Sequence, residues 1–212
     1  MAIINKGILG PISGTVGTVI GGSWKGISYV RSQSTSRRTS FTQPQLEQQA
    51  KFSTTMKFLQ PMTGLLSTSF REFAVEMTGF NNAMRYTLRN AIAGAYPAYT
   101  IDYSLALVSR GDLPNAGNPS AASTVAGTVS FQWTDNTGVG RAQATDTSIL
   151  VVYCPARNQC IYTTAGAVRS AGTDAFAVSS FSGEQVHTFI GFISADGKNI
   201  ANSIYTGALT VL

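Results

Sequence analysis

The sequence predicts an α+β protein, in which a glycine-rich β-hairpin and about three helices precede an antiparallel β-sandwich. Three observations support this fold class. Apolar residues recur at helical spacing between residues 42 and 94. Apolar and polar residues alternate at residues 129–133, as in a strand with one buried face. Residues 149–153 and 186–192 are apolar on both faces, as expected of central strands in two stacked sheets.

The amino-terminal residues 7–32 combine short apolar runs with frequent glycines. Strands are predicted around residues 16–20 and 24–30, with a tight turn at residues 21–23, because glycine readily adopts the backbone angles of hairpin turns. Glycine within a strand weakens it unless another backbone or a partner approaches closely. Since a two-stranded ribbon is not stable alone, we expect this hairpin to dock on the helices that follow or on another subunit.

Three apolar stripes predict three helices. The first begins at residues 42–45, which supply a capping Thr, an early Pro and a Gln at the capping-box position, and Pro61 ends it. The second follows Thr63, and the third runs from about Phe80 to near Gly94. The stripes, interpreted as core, consist of Phe52, Met56 and Leu59; of Leu66, Phe70, Phe73 and Met77; and of Phe80, Met84, Leu88 and Ile92. The arginines off the stripes are interpreted as solvent-facing, with a partner surface as the alternative: Arg71, Arg85 and Arg89.

From residue 98 onward, strands and turns alternate at the spacing of a β-sandwich. We therefore divide the chain into an anchoring region, residues 1–97, and a sandwich, residues 98–212. The sandwich resembles a fibronectin type III or immunoglobulin-like domain, although it has no tyrosine corner before His187. The resemblance is carried by Trp133 on an early strand, by residues 149–153 as a central strand, and by residues 186–192 followed by residues 194–198 and Ser203.

The charge is unevenly distributed along the chain. Residues 1–110 contain 11 Lys and Arg against 4 Asp and Glu, whereas residues 111–212 contain 4 against 6. A basic half joined to a mildly acidic half suggests two modules with different partners. Residues 1–22 lack an uninterrupted apolar segment and a small-residue cleavage site, so we expect no signal peptide and no membrane-spanning helix. The protein is therefore expected in the cytoplasm or associated with a virion.

A basic, hydroxyl-rich segment without apolar periodicity occupies residues 31–42. Its cations, with two aromatic residues nearby, are suited to single-stranded nucleic acid, which is held by phosphate pairing and base stacking. The alternative is a solvated linker beside two core aromatic residues, because no nucleic-acid-binding motif surrounds the segment. The candidate contact residues for a protein partner or a nucleic acid are Trp24, Lys25, Tyr29, Arg31, Arg37 and Arg38.

The sequence lacks a recognisable catalytic or metal-binding set. His187 is the single histidine and lies within an apolar segment, where we expect a structural role. A nucleophile elbow, a Walker loop and a dinucleotide-binding fingerprint are missing, and no pair of carboxylates favours acid–base catalysis. We therefore predict that the protein is not an enzyme and uses no cofactor and no metal.

Two short patterns allow alternative interpretations. Cys154 and Cys160 flank a predicted hairpin loop, a spacing that permits a cross-strand disulfide. We prefer two free thiols, because the sequence predicts no export from a reducing compartment. Arg110-Gly111-Asp112 matches the tripeptide displayed by integrin ligands, and we interpret it as a turn because a three-residue match is weak.

Nearly the whole chain resembles an uncharacterised family of bacterial proteins, a domain of unknown function, which implies no activity and no site residues. The matching segments are residues 7–10, 14–17, 22–26, 45–48, 77–81, 103–113 and 194–198. Because the hairpin must dock and no catalytic set is present, we predict a structural subunit of a phage-like particle or another bacterial assembly. We expect a homo-oligomer whose sandwich is displayed. The alternatives are a nucleic-acid-binding protein and a sandwich whose loops bind carbohydrate.

Overall fold

The computed structural model describes residues 3–4, 10–24, 26–34, 40–74 and 76–212. The chain forms two compact units, Met1–Gln43 and Pro44–Leu212, called here the first and the second unit. The sequence instead predicts a boundary after residue 97. The helices belong to the second unit because they share a hydrophobic core with the sandwich.

Within the described residues, the first unit is a four-stranded antiparallel sheet with strands in the order β1-β2-β3-β4. The strands are β1 Ile3–Ile4, β2 Ile12–Val16, β3 Val19–Trp24 and β4 Ile27–Ser32. The predicted turn at residues 21–23 is wrong, because these residues lie inside β3. The chain turns instead at Gly17 and Gly26, whose φ angles are +57° and +82°. Gly21 allows the backbone of β2 to lie close to β3, since a Cβ atom at Gly21 would collide with the carbonyl oxygen of Ile12.

The second unit begins with the predicted helical region. Its described helices are α1 Gln43–Leu59, α2 Thr63–Ser69 and α3 Gly79–Asn90, with a 3-10 turn at Gln60–Met62. Two of these helices are long, whereas α2 has only seven residues, so the last three residues of its predicted stripe lie beyond its end at Ser69. The third helix ends at Asn90, four residues earlier than predicted. Ile92, predicted to be helical, instead begins a β-hairpin of β5 Ile92–Ala95 and β6 Ala98–Ile101.

Seven antiparallel strands form the sandwich that the sequence predicts. They are β7 Gly117–Val125, β8 Thr128–Thr134, β9 Thr147–Cys154, β10 Gln159–Thr163, β11 Thr173–Ala177, β12 Gln185–Ile193 and β13 Ile204–Thr210. One sheet has the order β11-β8-β7, and the other has the order β10-β9-β12-β13. This three-plus-four arrangement agrees with the resemblance to fibronectin type III domains. The α+β fold class is confirmed.

The central strands β9 and β12 are buried on both faces. On one face Leu150 and Phe192 pack against Phe131 of the opposing sheet. On the other face Val151 and Phe189 pack against the helical layer. The apolar character of both faces is therefore explained by three layers. The four-stranded sheet lies between the helices and the three-stranded sheet. A sandwich of two sheets, as predicted from the sequence, would have covered only one of these faces.

A buried arginine joins several segments at one side of the sandwich core. Arg169 is fully buried, and its Nε lies 3.1 Å from Oδ2 of Asp146. Its other guanidinium nitrogens donate to Oδ1 of Asn136 at 2.7 Å and to the carbonyl oxygen of Pro114 at 2.9 Å. The guanidinium carbon lies 4.3 Å from the ring centroid of Phe192. Each guanidinium nitrogen thus has a hydrogen-bond partner, and removal of the cation would leave the buried Asp146 carboxylate without its ionic partner.

We predict that Arg169→Met lowers the free energy of unfolding by about 3–5 kcal/mol, because the charge of Asp146 then stays buried without its partner. Urea denaturation followed by tryptophan fluorescence measures this loss. Arg157→Met is the matched control, since Arg157 forms an exposed ion pair with Glu184 at the same 3.1 Å distance. Its loss should be below about 1 kcal/mol. Equal losses for the two variants would contradict the interpretation.

Candidate functional site

Three of the predicted contact residues lie on one face of the first unit. In the register of β3 and β4, Trp24 is opposite Ile27, Gly22 is opposite Tyr29, and Ile20 is opposite Arg31. Directly opposed residues of an antiparallel pair share a face, so Trp24, Tyr29 and Arg31 lie together. We call this surface the aromatic face. Gly22 provides the space for the Tyr29 ring, because a Cβ atom there would lie 3.1 Å from Cζ of Tyr29.

Both faces of the β3–β4 pair carry exposed apolar side chains. On the aromatic face, Trp24 is 63% exposed and Ile27 is 67% exposed. On the opposite face, Val19 and Val30 are exposed as well, Val30 to 60%. Every residue of β4 is exposed. Such a surface is typical of an interaction site and not of a self-sufficient sheet.

The remaining predicted contact residues, Lys25, Arg37 and Arg38, lie outside the described residues. The structure therefore brings together three of the six candidates. Their common face follows from the turn at Gly26, which sets the register of β4 against β3. The turn predicted at residues 21–23 would not have produced this pairing.

The net charge of the chain belongs entirely to the first unit. Residues 1–43 contain five Lys and Arg and no Asp or Glu, whereas residues 44–212 contain ten of each kind. The first unit therefore carries a formal charge of +5, and the second unit carries none. The predicted boundary after residue 97 hid this contrast, because it grouped the helices with the basic segment.

A cleft of about 470 Å³ lies in the second unit beside α3 and is lined by Arg85, Arg89 and Arg110. We call it the arginine cleft. The guanidinium carbon of Arg110 lies 4.8 Å from the ring centroid of Phe73 and 5.5 Å from that of Tyr86. Sequence reasoning missed this site, because Arg110 is distant from the other two in the chain. The four-residue spacing of Arg85 and Arg89 was the available signal, since it places both on one side of a helix.

A second cleft of the same unit, about 600 Å³ in volume, is rich in aromatic side chains. Tyr99, Tyr103 and Tyr153 line it together with Phe58. The hydroxyl of Tyr153 donates to Oδ1 of Asn158 at 3.0 Å, and burial raises the pKa of Tyr153 well above its usual value. The Phe58 ring makes edge contacts with the rings of Tyr103 and Tyr153, and these three residues belong to the core or pack against it. Carbohydrate binding by the sandwich loops stays a prediction.

His187 is held by neighbouring tyrosines. Its Nδ1 lies 2.8 Å from the hydroxyl oxygen of Tyr205, and its ring stacks on Tyr103 with 3.7 Å between centroids. Burial lowers the pKa of His187 below its usual value. Among the described residues, no three His, Cys, Asp or Glu side chains converge as a metal site would require. None of the described helices combines the length and apolar character needed to cross a membrane.

The two cysteines are free thiols, because neighbouring strands place them on opposite faces of one sheet. Cys154 pairs with Gln159 and faces the sandwich core, whereas Cys160 pairs with Tyr153 and faces the helical side. Burial raises the pKa of the Cys160 thiol to about 12. The Cys160 thiol is therefore poorly suited to act as a nucleophile.

We predict that His187 makes the protein less stable as the pH falls below about 6.5, the ordinary pKa of histidine. The lowered pKa means that the unfolded chain binds the proton first, so the free energy of unfolding decreases on acidification. Urea denaturation at pH 7.5 and 5.5 measures this difference, and His187→Gln should reduce it. An unchanged pH dependence in the variant would show that other groups are responsible.

These features define a class of protein: an α+β molecule whose helices and three-plus-four sandwich form one body, joined in sequence to a small basic sheet with exposed apolar faces. The chain belongs to the family of unknown function DUF6266, whose family model matches residues 11–207. The predicted resemblance to a domain-of-unknown-function family is thus confirmed. No significant match to the chain was found among the curated proteins or among the solved structures.

Proposed function

We propose that the protein is a non-enzymatic structural subunit of a bacterial or phage-like assembly, in which the first unit docks on a neighbouring subunit and the sandwich is displayed. The observation that supports this proposal is that almost no residue of the first unit is buried. Among the described residues from 10 to 34, Gly21 is the single buried residue. A sheet normally buries at least one face against another layer, so this sheet needs a covering layer from elsewhere.

We propose that a second copy of the same chain supplies the missing contacts. The strand order places β4 at an edge of the sheet, with one side of its backbone unpaired in the described structure. Ile27–Ser32 contains a single charge, at Arg31, and no proline, so it lacks the usual features that block edge pairing. Antiparallel pairing of two β4 strands would satisfy both edges and extend the aromatic face across two subunits. Packing of such extended sheets face to face would then cover the apolar side chains. Such a contact is self-complementary, as expected of a two-fold homo-oligomer.

Association through β4 should depend on salt in a defined way. Two first units carry the same formal charge of +5, and salt screens their repulsion. The apolar side chains of the sheet faces contribute a hydrophobic term, which salt does not weaken. Association through β4 should therefore persist or strengthen as the salt concentration rises.

We predict that the double variant Ile27→Asp/Val30→Asp shifts the protein from oligomer to monomer, because it places charges on both apolar faces of the edge strand. Light scattering coupled to size exclusion, over a range of protein concentrations, measures the shift. Leu105→Asp is the matched control, since Leu105 is 54% exposed but lies in the second unit. The control should associate like the wild type. A wild type that stays monomeric at all concentrations would contradict the proposal.

Single-stranded nucleic acid is the second candidate partner, and the aromatic face is the specific observation that favours it. Trp24 and Tyr29 lie beside Arg31 on one face of a unit with a formal charge of +5. Aromatic rings stack on bases, and cations neutralise phosphates. This function requires affinity that falls with salt, in contrast to association through β4.

For nucleic acid, we predict that an oligonucleotide binds with a steep salt dependence and that Arg31→Gln reduces the slope of the logarithmic plot by about one. Trp24→Ala should weaken binding by roughly tenfold, because a base loses its stacking partner. Fluorescence anisotropy with a labelled oligonucleotide at several salt concentrations measures both effects. Affinity that does not change with salt would exclude this function.

A further inference from the structure

We propose that the arginine cleft of the second unit binds the phosphate group of a small ligand. Arg85 and Arg89 stand four residues apart on α3, and Arg110, which follows Arg89 by 21 residues, reaches the same cleft from another segment. Two backbone contacts hold that segment in place. The Arg110 amide donates to the carbonyl oxygen of Ser69 at 2.9 Å, and the Gly111 amide donates to Oδ1 of Asn202 at 3.2 Å.

The three guanidinium groups have no anionic partner. Each Asp and Glu of the chain lies in the described residues, and none places a carboxylate oxygen within 4.0 Å of a nitrogen of Arg85, Arg89 or Arg110. The second unit has equal numbers of acidic and basic residues, so this cluster does not reflect a general excess of cations. Like charges four residues apart also destabilise a helix slightly. A bound anion would remove this repulsion.

Arg110 is preorganised for binding. Its guanidinium carbon lies over Phe73 and Tyr86, a geometry typical of cation–π contacts, and the side chain is half-buried. Because the rings already restrict the side chain, less conformational entropy is lost when a ligand binds. The next residue, Gly111, packs so closely on the backbone of Ile200 that a Cβ atom would collide with its carbonyl oxygen. Arg110 and Gly111 are therefore packed against the fold, and Asp112 is the exposed member of the tripeptide.

The chemistry of the lining favours phosphate. A guanidinium donates two parallel hydrogen bonds to oxyanions, and arginine is over-represented where phosphates and carboxylates are recognised. Three guanidinium groups match a phosphate group better than a carboxylate, which has only two oxygens to accept from them. The Nδ2 atoms of Asn82 and Asn90 donate to backbone carbonyl oxygens, so the arginines are the main donors to a ligand. The volume of about 470 Å³ is that of a small-molecule site.

The test compares three proteins by isothermal titration calorimetry with inorganic phosphate and with pyrophosphate. They are the wild type, the variant Arg85→Gln/Arg89→Gln, and the control Arg141→Gln, whose side chain is exposed and does not line the cleft. We expect the double variant to bind at least about tenfold more weakly, as for lost charge-assisted hydrogen bonds. The control should bind like the wild type. The substituted side chains are exposed, and unchanged thermal unfolding will verify that the variants are folded.

Three further measurements distinguish phosphate binding in the arginine cleft from binding of other anions or at other places. Pyrophosphate should shift the side-chain NMR signals of Arg85, Arg89 and Arg110, and not that of Arg141. Malonate should bind more weakly than pyrophosphate, and equal or tighter binding would overturn the assignment to phosphate. An oligonucleotide that binds the double variant as well as the wild type would be held elsewhere. Absence of binding to the wild type, or equal binding by all three proteins, would overturn the proposal.

Discussion

Each apolar face of a β-sheet must be covered by another layer, and this requirement governs both units of the protein. In the second unit it is met twice, because β9 and β12 bury one face in the sandwich and the other under the helices. Val151 and Phe189 would be exposed if the helices were removed. The helices and the sandwich therefore form one compact unit with a shared core, although the sequence suggests an anchoring region and a separate domain.

In the first unit the same requirement is unmet within the described residues. Trp24, Ile27 and Val30 are exposed on the two faces of the β3–β4 pair. The unit also carries the whole net charge of the chain. The proposed assembly role and the nucleic-acid alternative are two ways to cover this sheet. They are distinguished by the physical nature of the contact, which is apolar in one and electrostatic in the other.

Local patterns predicted the elements and three residues of the aromatic face, whereas the arginine cleft depends on contacts between distant residues. Leu66, Phe70 and Met84 of the predicted stripes are buried, because helical spacing reveals which side of a segment is covered. Phe73 is 37% exposed, since α2 ends before it, and spacing alone does not show where a helix stops. The arginine cleft could not be predicted, because Arg110 meets Tyr86 of α3 only in the folded chain, where the Arg110 amide bonds to the carbonyl oxygen of Ser69.

Amide hydrogen exchange at several protein concentrations shows whether a second copy completes the first unit. We expect the amides of Ile27–Ser32 to become more protected as the concentration rises, because an edge strand gains hydrogen-bond partners on association. The amides of Thr147–Cys154, already paired on both sides, should exchange at a constant rate. Protection of Ile27–Ser32 that is independent of concentration would contradict the claim.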